Sequence, residues 1–275
     1  MEAKYTRRIM ENILKIKDLT VTIGGKEVLS DVDLTLLPGK ISAIVGESGS
    51  GKTMMSLAIL DLLPDVAARI SGEILFRGKN IFDMDNKEKQ NMRGNSISMV
   101  FQEPFTALNP VMRVGEQITE TIAAHKIISE EKIQGCLKGL LKMVKLSEDI
   151  ASCYPHELSG GMRQRIMLAI ALSCDPEILI LDEPTTALDV SVQKEILDLV
   201  MGIQKERCFS ILFITHDFSI VNMVADEVHV MKNGRVIEKG AKEIIFKSPE
   251  NEYTRHLIDC IPKLGDERER LPESE

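Results

Sequence analysis

No stretch of this sequence reaches the roughly 18–20 apolar residues that a membrane-spanning helix requires, so the chain is expected to be soluble by itself. It would reach a membrane only through a partner. Basic charge is also scarce. Asp and Glu total 42 against 34 Lys and Arg, for a net charge of −8. A broad nucleic-acid surface needs the opposite balance, with Lys and Arg clustered, so no nucleic-acid partner is expected. Cysteines are few, and no two of them form a C-x-x-C pair. Cys136, Cys153, Cys174, Cys208 and Cys260 are an odd, scattered set that suits reduced thiols in a cytosolic compartment. Arg7-Arg8 has no apolar segment behind it, so it does not read as a secretory signal. Internal repeats are absent as well.

What is present is enough apolar residue, 44% of 275, to bury one good core and a smaller satellite. One stretch organises the chain: Gly46-Glu47-Ser48-Gly49-Ser50-Gly51-Lys52-Thr53, which fits G-x-x-x-x-G-K-[ST]. Its setting fits too. Ile41–Val45 is a short apolar run of buried-strand type, and Thr53 to Leu63 reads as a helix. Glycines let backbone N–H groups turn inward around phosphate oxygens, and the helix N-terminus adds a favourable dipole. Lys52 would reach the β- and γ-phosphates of a nucleoside triphosphate, and the Thr53 hydroxyl would hold Mg²⁺.

Residues 13–23 and 28–36 read as strands joined by a Gly24-Gly25 turn, the first alternating unevenly and the second with a period of two at Val32, Leu34 and Leu36. Further strands are expected at 70–76, 97–101, 178–181, 211–215 and 228–231. Helices are expected around 86–93, 114–125, 130–144 and 191–206. In the third of these, Ile133, Leu137, Leu140, Leu141 and Val144 form one apolar stripe. Strands alternating with helices imply an α/β fold around a mostly parallel sheet. The expected organisation is an extension over 1–12, a nucleotide-binding domain over 13–247 with helices inserted at about 103–165, and a C-terminal helix and charged tail over 248–275.

A second glycine-led helix start follows, Leu158-Ser159-Gly160-Gly161-Met162-Arg163-Gln164-Arg165, with Ser159 as N-cap. Asp182 and Glu183 then end an apolar strand. In a parallel sheet a carboxylate there lies beside the phosphate loop. Asp182 could hold Mg²⁺ through water, and Glu183 could polarise an attacking water.

In this order the chain resembles the ATP-binding subunits of ABC transporters. The motifs are the phosphate loop, Gln102 after a strand, Leu158–Gly161, the acidic strand end, Ala187-Leu188-Asp189 and Thr215-His216-Asp217. The resemblance implies a P-loop ATPase core with an N-terminal antiparallel β layer and an inserted α-helical part. It also implies a head-to-tail dimer with a homologous subunit, identical or related, in which Ser159, Gly160 and Gly161 of one chain cap the γ-phosphate held by Lys52 of the other. Gln102 would sense Mg²⁺ and water, Asp189 would communicate across the dimer, and His216 would contact the γ-phosphate. The resemblance places this chain peripherally on the cytoplasmic face of the cell membrane, with two transmembrane permease subunits and, indirectly, an extracytoplasmic substrate-binding protein as further partners. A soluble ATPase acting on ribosomes or DNA is the alternative, but it would bring two cassettes, a long coiled-coil insertion or a basic face.

Phe101-Gln102-Glu103-Pro104, Ala107-Leu108-Asn109-Pro110 and Glu183–Asp189 are similar to the peptide and nickel importer group. Longer members carry a C-terminal cysteine cluster for an iron–sulfur centre. Only Cys260 lies near this end, so no such cluster is expected. The family usually stacks adenine on an aromatic ring at a position that the register assigns to Ile23, so an aliphatic cover for the base is expected here.

Overall fold

A computed structural model describes residues 12–64, 69–102, 107–186 and 188–261. Most of the expected extension, Glu103-Pro104, Ala187 and the charged tail from 262 lie outside them. The chain opens with β1 (Leu14–Ile23) and β2 (Lys26–Leu36), a hairpin whose Gly24 and Gly25 take φ of 57° and 80°. Positive φ at both central residues is what a two-residue hairpin turn demands. The uneven alternation in β1 has a local cause. The pairing slips between Ile16↔Leu34 and Leu19↔Val32, with Asp18 at φ 50°, and this bulge returns Leu19 and Val21 to the face already used by Leu14 and Ile16. With β4 (Arg69–Phe76) and β5 (Lys79–Asn80) these strands form an antiparallel sheet in the order β2-β1-β4-β5.

The second sheet has the order β10-β9-β3-β8-β7-β6. Its members are β3 (Ile41–Val45), β6 (Ile97–Val100), β7 (Ile178–Asp182), β8 (Ser210–Thr215), β9 (Glu227–Lys232) and β10 (Arg235–Ala241). All neighbours are parallel except β9 and β10. Every residue of β3, β7 and β8 is buried, as befits parallel strands covered on both faces. Ile44, Ile180, Leu212 and Ile214 pack toward the antiparallel layer. Leu179, Leu181, Ile211 and Phe213 pack toward helices on the other side.

Those helices are α3 (Val114–His125), α4 (Glu130–Met143), α5 (Gly160–Leu172) and α6 (Val190–Arg207). The expected stripe of α4 is buried as a unit, Ile133 through Val144. On the antiparallel side lie α1 (Lys52–Ile59), which follows the phosphate loop, and α2 (Asn86–Met92).

One boundary and several short elements differ from expectation. Helix α1 stops at Ile59 rather than Leu63. Asp61 turns left-handed at φ 51°, while the Leu62 and Asp61 amides donate back to Leu57 O at 2.8 Å and Ala58 O at 3.0 Å. That is a Schellman cap, and Lys89 and Arg93 hold the Asp61 carboxylate at 3.0 and 3.3 Å. Strand β10 was not anticipated, although Asn233-Gly234, with φ of 49° and 77°, is the hairpin turn that creates it. The short helices α7 (Phe218–Val224) and α8 (Lys242–Lys247) were also not foreseen, whereas α9 (Glu252–Asp259) is the expected C-terminal helix.

His229 on β9 is 4% exposed, its Nδ1 has no hydrogen-bond partner, and burial together with nearby Lys239 lowers its pKa to about 4. The unfolded chain therefore binds a proton near the ordinary 6.5 that the folded chain refuses until about 4. Stability is full above that upper value and falls as pH drops through the window, by on the order of 3 kcal/mol if the whole shift acts. Chemical denaturation at several pH values should show this slope, and His229→Leu should flatten it. An equal slope in both proteins would assign the acid sensitivity elsewhere.

Candidate active site

The parallel register decides where the chemistry gathers. Val45 pairs with Thr215, Asp182 with Ile214 and Val100 with Leu181, so β3, β6, β7 and β8 end along one edge. Each end delivers polar groups: the 46–53 loop after β3, Gln102 after β6, Asp182-Glu183 on β7 and His216 after β8. Ligands of open α/β sheets bind outside this carboxyl edge.

The loop is tightly seated. A Cβ at Gly46 would lie 2.1 Å from Met231 O, so only glycine fits against β9. Gly51 caps α1 at φ 103°, and the first turn of that helix holds no acid. Its N–H groups are thus available to an anion. Lys52 is almost wholly buried, and its Nζ donates to Gly46 O at 2.8 Å and Glu47 O at 2.9 Å. Burial lowers the Lys52 pKa, while Glu183 and then Asp182 raise it.

Glu183 is the hub. Its Oε1 lies 4.0 Å from Lys52 Nζ. Its Oε2 accepts from Gln102 Nε2 at 3.2 Å and Thr186 Oγ1 at 3.0 Å, and lies 3.2 Å from His216 Nδ1. The backbone at Glu183 is left-handed, φ 46°, and is fixed by its amide donating to Ile214 O at 2.9 Å. Strain of this kind in a residue other than glycine clusters at functional sites.

Asp182 is 1% exposed and its Oδ1 has no hydrogen-bond partner. Burial raises its pKa first, the Thr53 hydroxyl opposes that, and Glu183 adds to it. A buried carboxylate oxygen without a partner, beside a threonine hydroxyl, fits a divalent cation. Among the described residues no three His, Cys, Asp or Glu side chains converge. Mg²⁺ needs no such cluster, because it binds through one or two carboxylates together with substrate phosphates.

A cleft of about 250 Å³ opens over these groups. It is lined by the loop residues Ser48, Gly49, Gly51, Lys52 and Thr53 together with Lys26, Val28, Met54, Gln102 and Glu183. Ile23 is not among the lining residues. It sits half-buried against the core of the antiparallel layer, paired with Lys26, and β2 rather than the end of β1 runs along the loop. Sequence reasoning assigned no role to Thr186, Lys26, Val28 or Met54. Thr186 stands in a quoted motif, but its contact with Glu183 has no spacing signal.

Ser159, Gly160, Gly161 and Asp189 lie apart from this cleft. Ser159 Oγ accepts from Met162 N at 3.3 Å and caps α5. A Cβ at Gly161 would lie 2.6 Å from Val192 Cγ1, so α5 begins in contact with the first turn of α6. Asp189 caps α6, accepting from Val192 N at 3.0 Å and Ser191 Oγ at 2.7 Å, which holds its carboxyl below the usual range.

The profile of the family described as ABC transporter matches residues 29–186, more than half of the chain. The chain belongs to this family. The oligopeptide transport ATP-binding protein OppD of Bacillus subtilis is 46% identical over 259 residues, covering 92% of this chain and 72% of OppD. The dipeptide transport ATP-binding protein DppD of the same organism is 43% identical, covering 93% and 78% of the two chains. Among solved structures, cbiO1 of Clostridium perfringens, part of the transporter complex cbiONQ, superposes with a TM-score of 0.76 at 31% identity, covering 92% of this chain and 97% of that one. The dimeric ATP-binding cassette MJ0796 bound to ADP and Pi gives 0.72 at 28% identity, over 83% and 98%. The chain therefore has the ATP-binding cassette fold, binds ATP, and couples ATP hydrolysis to transport. None of its described helices is long and apolar enough to cross a membrane.

The ionised Asp182 carboxylate opposes folding of the nucleotide-free protein. Its folded pKa exceeds the ordinary 3.8, so stability falls as pH rises between the two values and stays reduced above the higher one. Asp182→Asn should raise the nucleotide-free melting temperature at pH 7 by roughly 2–4 °C and remove the further rise that Mg²⁺ adds to ATP. An unchanged melting temperature, or an intact Mg²⁺ increment, would contradict this role.

Proposed function

We propose that this chain is the ATP-hydrolysing subunit of an importer of short peptides, with Glu183 as general base. The observation that carries the reading is the convergence of Gln102, Thr186, His216 and Lys52 on one carboxylate at a strained strand end. The 46–53 loop and Lys52 bind the phosphates, and the base lies toward the rim beside Lys26 and Val28. Thr53, Asp182 and Gln102 hold Mg²⁺, which neutralises charge on the β- and γ-phosphates when bound. Glu183 takes a proton from water as its oxygen attacks the γ-phosphorus. The bond to the bridging oxygen breaks, giving ADP and phosphate. His216 holds the γ-phosphate, and Gln102 relays its state to the permease.

Ser159, Gly160 and Gly161 act in trans on the nucleotide of a second cassette, which agrees with their position outside this chain's own cleft. Asp189 links the two halves. That dimer sits under two permease subunits on the cytoplasmic face of the membrane, and an extracytoplasmic binding protein supplies the cargo. For cargo, the names of OppD and DppD, and of the glutathione import protein GsiA of Salmonella typhimurium, 43% identical over 266 residues, favour peptides over nickel.

Glu183→Gln should keep ATP binding, trap an ATP-bound dimer visible by size-exclusion chromatography, and slow phosphate release by roughly 10²–10⁴-fold. Hydrolysis within about threefold of wild type would remove Glu183 from the role. Uptake of dipeptides, oligopeptides, glutathione and nickel in a deletion strain tests the cargo. Loss of nickel uptake alone would overturn the peptide assignment and leave the ATPase standing.

A further inference from the structure

The C-terminal helix α9 touches the phosphate loop at one residue. Glu47 N donates to Tyr253 Oη at 3.3 Å. The same peptide segment is where Lys52 rests, since Glu47 O accepts from Lys52 Nζ at 2.9 Å and from Ser50 N at 3.2 Å. Glu47 is thus held from both sides, its carbonyl by the catalytic loop and its amide by α9.

The tyrosine is itself well placed. Asn251 caps α9 by accepting from Tyr253 N at 2.9 Å. Asn251 and Glu250 in turn donate their amides to the two oxygens of Glu238 on β10, at 3.2 and 2.7 Å. Thr254 is fully buried, and Leu257 and Ile258 pack on the core that holds Val45 and Val230. Lys232 Nζ lies 4.1 Å from the centre of the Tyr253 ring, a cation–π contact from the end of the strand whose Met231 carbonyl abuts Gly46. Burial keeps the phenol protonated, and the Glu47 carboxylate acts on the same hydroxyl.

We propose that Tyr253 is a positioning residue for the phosphate loop. Its hydroxyl fixes the Glu47 peptide so that the loop is preformed for ATP, and α9 thereby sets nucleotide affinity. Preorganising a loop improves affinity by reducing the ordering that binding must impose. Tyr253 does not line the cleft, so its effect belongs to binding through the loop. The inference rests on the 46–53 loop being the nucleotide site.

Tyr253→Phe keeps the ring and removes only the hydroxyl. The loss of one hydrogen bond should weaken ATP binding by the purified subunit roughly threefold to tenfold. The KM for ATP should rise by a similar factor with kcat changing less than about twofold. Asn251→Ala, which removes the side-chain cap that places the tyrosine, should shift affinity the same way. Affinity within about 1.5-fold of wild type in Tyr253→Phe would overturn the proposal, as would a fall in kcat at constant KM. Lys52→Ala measured alongside separates the two claims. Normal ATP binding there would sink the nucleotide-site reading itself, whereas lost binding there with normal binding by Tyr253→Phe would sink only the role of Tyr253.

Discussion

The site depends on keeping one ammonium group charged in a place largely shielded from water. Lys52 is 4% exposed, and isolation of that kind favours the neutral amine. Asp182 and Glu183 supply the opposing charge, and two loop carbonyls supply hydrogen bonds. The carboxylates have the mirror-image problem, because burial raises the pKa of Asp182 and Lys52 counters it. Neither sign is tenable alone. Removing Lys52 leaves two buried carboxylates uncompensated, which costs far more than the pair contributes in net, whereas removing the Asp182 charge still leaves Glu183 facing Lys52.

This balance requires groups from four strands to arrive together, and the parallel sheet supplies that. Strands in register finish at one edge, so residues as far apart in the chain as Lys52, Gln102, Glu183 and His216 become neighbours. The sheet tolerates such a charged edge because its interior is predominantly apolar. One face is locked to the antiparallel layer and the other to α3–α6. Gly46 shows how little slack is left, with the Met231 carbonyl in the space a Cβ would need.

Most of this was legible in the sequence because it is encoded locally. The loop is a contiguous octet, the central strands are short apolar runs, and α4 carries its stripe at helical spacing. What escaped was encoded by contacts between distant segments or by single left-handed residues. The end of α1 is set by Asp61, whose conformation is secured by Lys89 and Arg93 from a different element. The bulge at Asp18 reads in sequence only as broken alternation. Strand β10 was readable from Asn233-Gly234 and was passed over. The wall of the cleft depends on how the first hairpin lies across the loop, which brings Lys26 and Val28 to it. Tyr253 reaches the loop through tertiary contact alone, and Thr186 meets Glu183 from three residues on in the same loop, a contact that no spacing rule singles out.

The arrangement around Glu183 also bears on how a base at this position would be controlled. Its two oxygens are engaged by Lys52, Gln102, Thr186 and His216. Those contacts occupy acceptor sites that a water would need on the carboxylate. Phosphate oxygens compete for the same donors, Lys52 first. Donors that turn to a nucleotide would free acceptor sites on the carboxylate for a water. Gln102 and His216 stand on separate loops after separate strands, so movement of either loop changes which contacts Glu183 makes. Hydrolysis is thereby tied to the positions of loops that lie beyond the rigid sheet, the property an ATPase needs if its turnover is to follow events in another subunit.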